Sequence, residues 1–340
     1  MDSILALAGA NLVSPIILSF ALGLLAALAR SDLSFPEAIA KGLSLYLLFA
    51  IGFKGGAGVA AHGVDAGLVA ALLAGVALSL LLPFVAFGLL RVLTRVSVTD
   101  AAAVAAHYGS ISIVTFLAAS SLLAGRGIPA ESYMVAVAAA MEAPAILSAL
   151  WLAARRGGGQ GGGGQGGGGK GGGGKPVGAE LWREILLNGS IVLLLGAFAI
   201  GWITGEQGLA EIGSFIVEPF KGVLCLFLLD MGLIAGRGLR ASRGVLTPAV
   251  VAFGILMSLV GAAFGLAAGL ALELSPGGVV LLMVLSASAS YIAVPAAMRV
   301  ALPEANPALS LMLSLGVTFP FNLTVGIPLY IVVAAAATGS

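Results

Sequence analysis

The stretch KGLSLYLLFAIGFKGGAG, residues 41–58, decides the fold, because it returns 180 residues later as KGVLCLFLLDMGLIAGRG, residues 221–238. Both copies lie in apolar surroundings, and a glycine-rich tract between them separates the chain into two halves. A strongly apolar chain built from two related halves is typical of secondary transporters. The repeat therefore directs the search for function toward membrane transport.

Composition indicates that lipid is the solvent of this chain. Hydrophobic residues make up 60% of it and charged residues 9%, with a mean hydropathy of +1.12, whereas soluble domains carry about 25% charged residues. The net charge of +1 argues against a nucleic-acid partner. The sequence contains no metal-binding Cys/His set, no P-loop and no nucleophile–histidine arrangement. We therefore expect an integral membrane protein that is not an enzyme and has no cofactor beyond a coupling ion.

Ten apolar stretches predict membrane-spanning helices, each of which needs roughly 20 residues. They lie near 4–29, 38–53, 68–93, 101–124, 132–154, 184–203, 217–235, 247–272, 277–299 and 308–336. Five precede the glycine tract and five follow it, which predicts five-helix repeats at 1–156 and 177–340 and a flexible linker at 157–176. The spans at 38–53 and 217–235 are short, and short spans at matching places of two halves point toward a binding site.

Basic residues predict the topology through the positive-inside rule. With the N-terminus outside, the outside loops hold only Lys54 and Arg126. The inside loops hold Arg30, Arg91, Arg95, Arg155, Arg156, Lys170, Lys175, Arg183, Arg237, Arg240, Arg243 and Arg299. We predict a multi-pass plasma-membrane protein with both termini outside and a cytoplasmic linker. An odd number of spans in each half then makes the second repeat inverted.

The fourth and ninth spans carry matching interruptions, AHYGSISIVT at residues 106–115 and SASASYIAVP at residues 286–295. Hydroxyl side chains and glycine loosen a helix, and a half-helix that starts inside the membrane offers free N–H groups to an anion. The simpler alternative is that small residues only let the helices pack closely. The predicted anion-binding residues are Gly109, Ser110, Ile111, Ser112, Ser288, Ala289 and Ser290.

Isolated polar residues in other spans supply candidate sodium ligands, since Na⁺ prefers oxygen donors. The candidates are Glu142, Asp230, Thr318 and Asn322. An acid inside a membrane is costly and often functional, but Glu142 and Asp230 are also compatible with protonated or hydrogen-bonded structural roles. His107, beside the first interruption, is compatible with a proton relay or with simple packing.

Six segments in order resemble the sodium-dependent bicarbonate transporter family known best from cyanobacteria. They are AHYGSISIVTF at 106–116, MEAPA at 141–145, FLLDMG at 227–232, residues 286–299, LPEANP at 302–307, and TFPFN at 318–322 with GIPLY at 326–330. The resemblance implies an elevator-type carrier with a gate and a core domain, and substrate bound where spans four and nine cross. It also implies a homotrimer and a PII-like cytoplasmic regulator. The glycine linker departs from the ordered linker of some members and gives such a regulator no clear surface.

These observations predict an all-α membrane protein of ten helices in two inverted five-helix repeats, with helices four and nine broken. The expected function is sodium-coupled import of a small monovalent anion, most simply bicarbonate. One alternative is a sodium/proton antiporter that uses Glu142 or Asp230. The other is a membrane sensor or scaffold that transports nothing.

Overall fold

The computed structural model describes residues 13–142, 144–157, 189–241, 246–292, 294–295, 297–298 and 302–339. The predicted linker at 157–176 lies outside these residues except for Gly157, and so does most of the predicted start of the first span. The described residues form helices, turns and loops, with no strand. The twelve helices are α1 Pro15–Leu28, α2 Glu37–His62, α3 Ala66–Leu93, α4 Val98–Gly109, α5 Ile113–Gly125, α6 Met134–Ala140, α7 Pro144–Gly157, α8 Gly189–Ile216, α9 Phe220–Ala241, α10 Pro248–Ala271, α11 Pro276–Ala287 and α12 Pro307–Thr338.

Eight helical segments of the described chain are long and apolar enough to cross a membrane. They are α2, α3, the α4–α5 pair, most of the α6–α7 pair, α8, α9, α10 and α12, whereas α1 and α11 are apolar but shorter. The chain is therefore an all-helical, multi-pass membrane protein. The prediction of short spans at 38–53 and 217–235 was wrong, since α2 has 26 residues and α9 has 22. Lys54 and the glycines after it lie within α2 and do not end it.

Several helices begin at a hydroxyl or amide cap followed by proline, a sequence suited to a helix start. Ser14 caps α1, Thr247 caps α10 and Ser275 caps α11, each accepting a hydrogen bond from the backbone N–H three residues later. Ser275 is itself held by Glu131, whose carboxylate accepts from the Ser275 backbone N–H at 2.6 Å. Glu131 thus places negative charge at the positive end of α11.

The helices pack as two groups. Helices α1, α2, α8 and α9 form what we call the frame group, in which α1 packs against α9 and α2 packs against α8 and α9. Helices α3–α7 and α10–α12 form the crossing group, in which α4 contacts α3 and α7 while α11 contacts α5, α10 and α12. The groups meet where α9 touches α12 and where α6 lies against α2 and α8. The described helices therefore form two packed bodies that share a limited set of contacts.

Glycines of the repeated stretch explain the tight packing inside the frame group. A Cβ on Gly56 of α2 would collide with the backbone carbonyl of Phe198 in α8. The glycine at the same place in the second copy, Gly236, lies against Leu24 in α1, and Gly232 lies against the carbonyl of Phe20. Small residues let membrane helices approach at backbone distance. The two copies therefore make corresponding contacts, each with a helix of the other half of the chain.

Candidate functional site

The two interruptions lie against each other in the crossing group. The backbone N–H of Ser112 donates to Ser288 Oγ at 2.9 Å, and the Ser288 hydroxyl donates to the carbonyl of Leu285 at 3.0 Å. The backbone N–H of Ser290 donates to the carbonyl of His107 at 2.8 Å. The Ser112–Ser288 and Ser290–His107 bonds join residues 176 and 183 positions apart and bring the serines of both halves to one place.

Each interruption has a serine that caps the helical backbone after it. Ser112 Oγ accepts hydrogen bonds from the backbone N–H and the hydroxyl of Thr115, at 3.2 and 2.9 Å. Ser290 Oγ accepts from the backbone N–H of Val294 at 3.5 Å, although parts of the chain beyond Ser290 lie outside the described residues. The N-terminus of α5 therefore starts in the buried interior, with the positive end of its dipole at the crossing.

Polar groups without partners remain at both interruptions. Within the described part of the chain, the backbone N–H groups of Ile111 and Ala289 donate no hydrogen bond. The Ser110 hydroxyl is buried and also has no partner. Buried N–H groups are rarely left unpaired. Gly109 differs, because a Cβ there would collide with the ring of Pro83, so close packing accounts for this glycine.

Glu142 lies at the same crossing. Glu142 comes just after the C-terminal end of α6. Together with residues of the two interruptions it lines a cavity of about 10 Å³, about the space of a single water molecule. Its carboxylate is buried, and Glu142 Oε2 has no hydrogen-bond partner. The lining residues are Ile111, Ser112, Ile113, Glu142, Ser290, Tyr291 and Ile292. The site is contracted, so the two interruptions must separate slightly before a polyatomic anion can enter.

Thr318 and Asn322 lie in α12 and contact the helices that lead to the interruptions. The hydroxyl groups of Thr318 and Tyr108 are hydrogen-bonded at 2.6 Å. The Asn322 side-chain amide donates to the carbonyl of Ala287 at 3.0 Å, and Asn322 Oδ1 accepts from the hydroxyl of Tyr330 at 2.8 Å. Asn322 thus satisfies a carbonyl at the end of α11 that would otherwise be unpaired. Neither residue lines the cavity beside Glu142.

Asp230 lies in α9 of the frame group, two residues before Gly232. The side chain is buried, and Asp230 Oδ2 has no partner. It does not line the cavity at the crossing. Of the four predicted sodium ligands, Glu142 is therefore the one that the structure brings to the serines.

Two features of this site were not predicted from the sequence. His107 Nδ1 lies 2.6 Å from the carbonyl of Ser290, and because a carbonyl only accepts, Nδ1 carries the hydrogen. The fifth and last spans are also irregular, with a stop after Ala140 and π-helical stretches at Met312–Thr318 and Asn322–Gly326. Pro144 and Pro320 gave a signal for these irregularities, since proline inside a helix removes a hydrogen bond.

Comparison with known proteins identifies the family. No curated protein matches the chain. The sequence model of the Na⁺-dependent bicarbonate transporter superfamily matches residues 15–335. Since that match covers nearly the whole chain, the chain belongs to the Na⁺-dependent bicarbonate transporter superfamily, whose members are transporters and not enzymes, as the resemblance predicted.

Proposed function

We propose that this protein imports a small monovalent anion together with sodium, and that the anion is bicarbonate. The observation that carries the proposal is a pair of backbone N–H groups, those of Ile111 and Ala289, that have no partner among the described residues and lie at two interruptions that touch each other. Backbone N–H groups at helix ends bind anions without basic side chains. Membership of the Na⁺-dependent bicarbonate transporter superfamily supports sodium coupling and makes bicarbonate the substrate that we propose.

We propose that the anion is held by residues of both interruptions, on backbone N–H groups and on the Ser110 hydroxyl. Ser112, Ser288 and Ser290 would rearrange as the cavity opens, because their present hydrogen bonds join the two halves. Gly109 would contribute by allowing close approach of α4 to its neighbours.

Sodium is proposed to bind between Glu142 and the anion. A buried carboxylate beside the serines would repel an anion, and a cation between the two removes that repulsion. Anion and sodium should therefore bind synergistically. Thr318, Asn322 and Asp230 remain proposed ligands of sodium, with the hydrogen bonds of Thr318 and Asn322 giving way on binding.

Movement of the crossing group along the frame group would expose the site alternately to the two sides. This proposal assigns the chain ten spans in two inverted repeats and an elevator-type mechanism. The separation of the helices into two packed groups supports it. We also propose that the protein is a homotrimer in the lipid bilayer of the plasma membrane. Both termini would then lie outside the cell and the linker in the cytoplasm, where a PII-like regulator would contact it.

The energetics are compatible with sodium coupling. Import against a tenfold anion gradient costs about 1.4 kcal/mol, and carrying one negative charge inward against 100 mV costs about 2.3 kcal/mol. One co-transported sodium ion cancels the electrical cost, and the sodium concentration gradient then drives import.

The test is uptake of labelled bicarbonate into proteoliposomes with an inward sodium gradient, and with sodium replaced by choline or potassium. We expect accumulation with sodium only. Uptake that is equal in choline would rule out the coupling, and an absence of uptake would rule out bicarbonate as the substrate.

A sodium/proton antiporter is the second candidate, because Glu142 is a buried carboxylate with an oxygen that has no partner. Such a carboxylate could exchange a proton for sodium. Sodium-dependent pH changes in everted vesicles without any bicarbonate would favour this function. Uptake of bicarbonate with sodium would favour the importer.

A further inference from the structure

Three basic residues lie close together where one end of the frame group meets the end of α5. Lys54 of α2 places its ammonium 5.6 Å from the ring centroid of Phe220, at the start of α9. The next residue, Lys221, lies beside the last residue of α5, with its Nζ 3.8 Å from the position of a Cβ on Gly125. Arg126 is the residue after Gly125, and its Nη1 is buried without a partner. The predicted topology puts this end outside the cell.

Within the described part of the chain neither Lys54 nor Lys221 forms an ion pair with a carboxylate, and their charges are close enough to repel each other. Like charges held together near a membrane interior raise the free energy of the protein. Lys54 is half-buried within a membrane-spanning helix, so solvent screens this repulsion only in part. A bound anion would remove the repulsion.

A cavity of about 250 Å³ opens beside Lys54, large enough for a hydrated small anion. Its walls include Ser120 and Phe116 of α5 and Leu281 of α11, so it rests on the two helices that lead to the crossing. Phe116 lies one helical turn after Ser112, whose carbonyl accepts its backbone N–H at 3.1 Å. The cavity therefore lies on the approach from this end of the molecule to the candidate site.

Among the described residues that line this cavity, one carboxylate is present, and it is already engaged. Glu131 accepts hydrogen bonds from the backbone N–H and the hydroxyl of Ser275, at 2.6 and 3.0 Å. Its charge is held at the N-terminus of α11, where the helix dipole compensates it. Lys54 therefore sets the sign of the potential inside the cavity.

We propose that this cavity is an outer entry site that concentrates small anions from the extracellular side before they reach the serines. The proposal rests on the proposed import of an anion and adds the residue that captures it, Lys54, with Lys221 and Arg126 contributing to the field. A cleft with a positive potential raises the local concentration of anions, an effect that salt weakens. The equivalent of Lys54 in the second copy of the repeat is Ile234, so this positive site belongs to one end of the molecule.

The first experiment measures bicarbonate uptake at low ionic strength for Lys54→Gln, Lys54→Arg and a control, Lys41→Gln. Lys41 is the exposed counterpart of Lys221 in the first copy of the repeat and is absent from this cavity. We expect Lys54→Gln to lower kcat/KM for bicarbonate about tenfold and to weaken its salt dependence, through KM and not kcat. Lys54→Arg keeps the positive charge and should keep most of the salt dependence that Lys54→Gln loses, whereas Lys41→Gln should behave as wild type. An unchanged KM in Lys54→Gln would overturn the proposal.

A second experiment needs no transport. Ser120 lines the cavity, and Cys225 is the only native cysteine, so Ser120→Cys in a Cys225→Ser background reports on the cavity alone. In intact cells we expect an anionic methanethiosulfonate to react faster than a cationic one of similar size. Lys54→Gln should lower this ratio of rates about tenfold, and Lys41→Gln should not. A ratio insensitive to Lys54→Gln, or no reaction from outside, would overturn the entry site.

The two experiments separate the two proposals. A charge-dependent labelling ratio in a protein that takes up no bicarbonate would keep the entry site and remove the proposed substrate. Sodium-driven bicarbonate uptake with no effect of Lys54 on KM or on labelling would keep the substrate and remove the entry site.

Discussion

The backbone N–H of Ser112 donates to the hydroxyl of Ser288 at 2.9 Å, across 176 residues of sequence. Both partners are buried. The bond lies where two helical interruptions meet, so it ties the two halves of the chain together at the candidate site. In the contracted cavity the Ser288 oxygen occupies the acceptor position that an anion would take on this N–H group.

Removal of this hydroxyl should impair both stability and transport. Ser288→Ala leaves the Ser112 N–H without its acceptor, which costs about 1–3 kcal/mol for a buried group. We expect a lower Tm, and a bicarbonate uptake reduced at least about tenfold, a change of roughly 1.4 kcal/mol, because this bond no longer holds the two interruptions together. The control is Ser258→Ala, because the buried Ser258 hydroxyl bonds only to Gly254 of its own helix. Equal effects of the two variants would contradict the role of Ser288.

Glu142→Gln should weaken the response to sodium. The substitution keeps the size of a side chain that lines the crossing and removes its charge. If Glu142 holds sodium, we expect the KM for sodium in bicarbonate uptake to rise at least about tenfold, that is by about 1.4 kcal/mol. Glu211→Gln, an exposed acid of α8, is the matched control. An unchanged sodium KM in Glu142→Gln would exclude Glu142 as a ligand.

Several elements of the fold could be predicted from sequence because their signals are local. The apolar stretches gave the helices, and the matching Ser110–Ser112 and Ser288–Ser290 stretches gave two interruptions that touch. Other features depend on partners distant in the chain. The length of α2 was missed because Lys54 and its neighbouring glycines resemble a helix end until packing against α8 is known. The hydrogen bond from the Asn322 side-chain amide to the carbonyl of Ala287 was likewise missed, because the two residues lie 35 positions apart in the chain.

His107 should act by positioning the second interruption, not by relaying protons. Its Nδ1 bonds to the carbonyl of Ser290 at 2.6 Å, and its own carbonyl accepts the Ser290 N–H. His107→Asn can retain the side-chain bond, whereas His107→Leu removes it and leaves a buried carbonyl unsatisfied. We expect His107→Leu to lose about 1–3 kcal/mol of stability and most of its uptake, and His107→Asn to keep most of both. A stable His107→Asn protein with no uptake would favour the proton relay instead.

The repeated glycines provide a test of the frame group within one short motif. Gly232 lies against the backbone carbonyl of Phe20, while Gly222, ten residues earlier in the same helix, has open space where its Cβ would be. Gly232→Ala should therefore force α1 and α9 apart, with a loss of about 1–3 kcal/mol from overpacking and a lower Tm in detergent. Gly222→Ala should be neutral or slightly stabilising, because alanine favours a helix over glycine by up to about 1 kcal/mol. Gly56→Ala and Gly42→Ala repeat the comparison in the first copy, where Gly56 meets the Phe198 carbonyl and Gly42 meets nothing. Equal Tm values for all four variants would contradict this prediction and would mean that the close contacts of Gly56 and Gly232 do not stabilise the frame group.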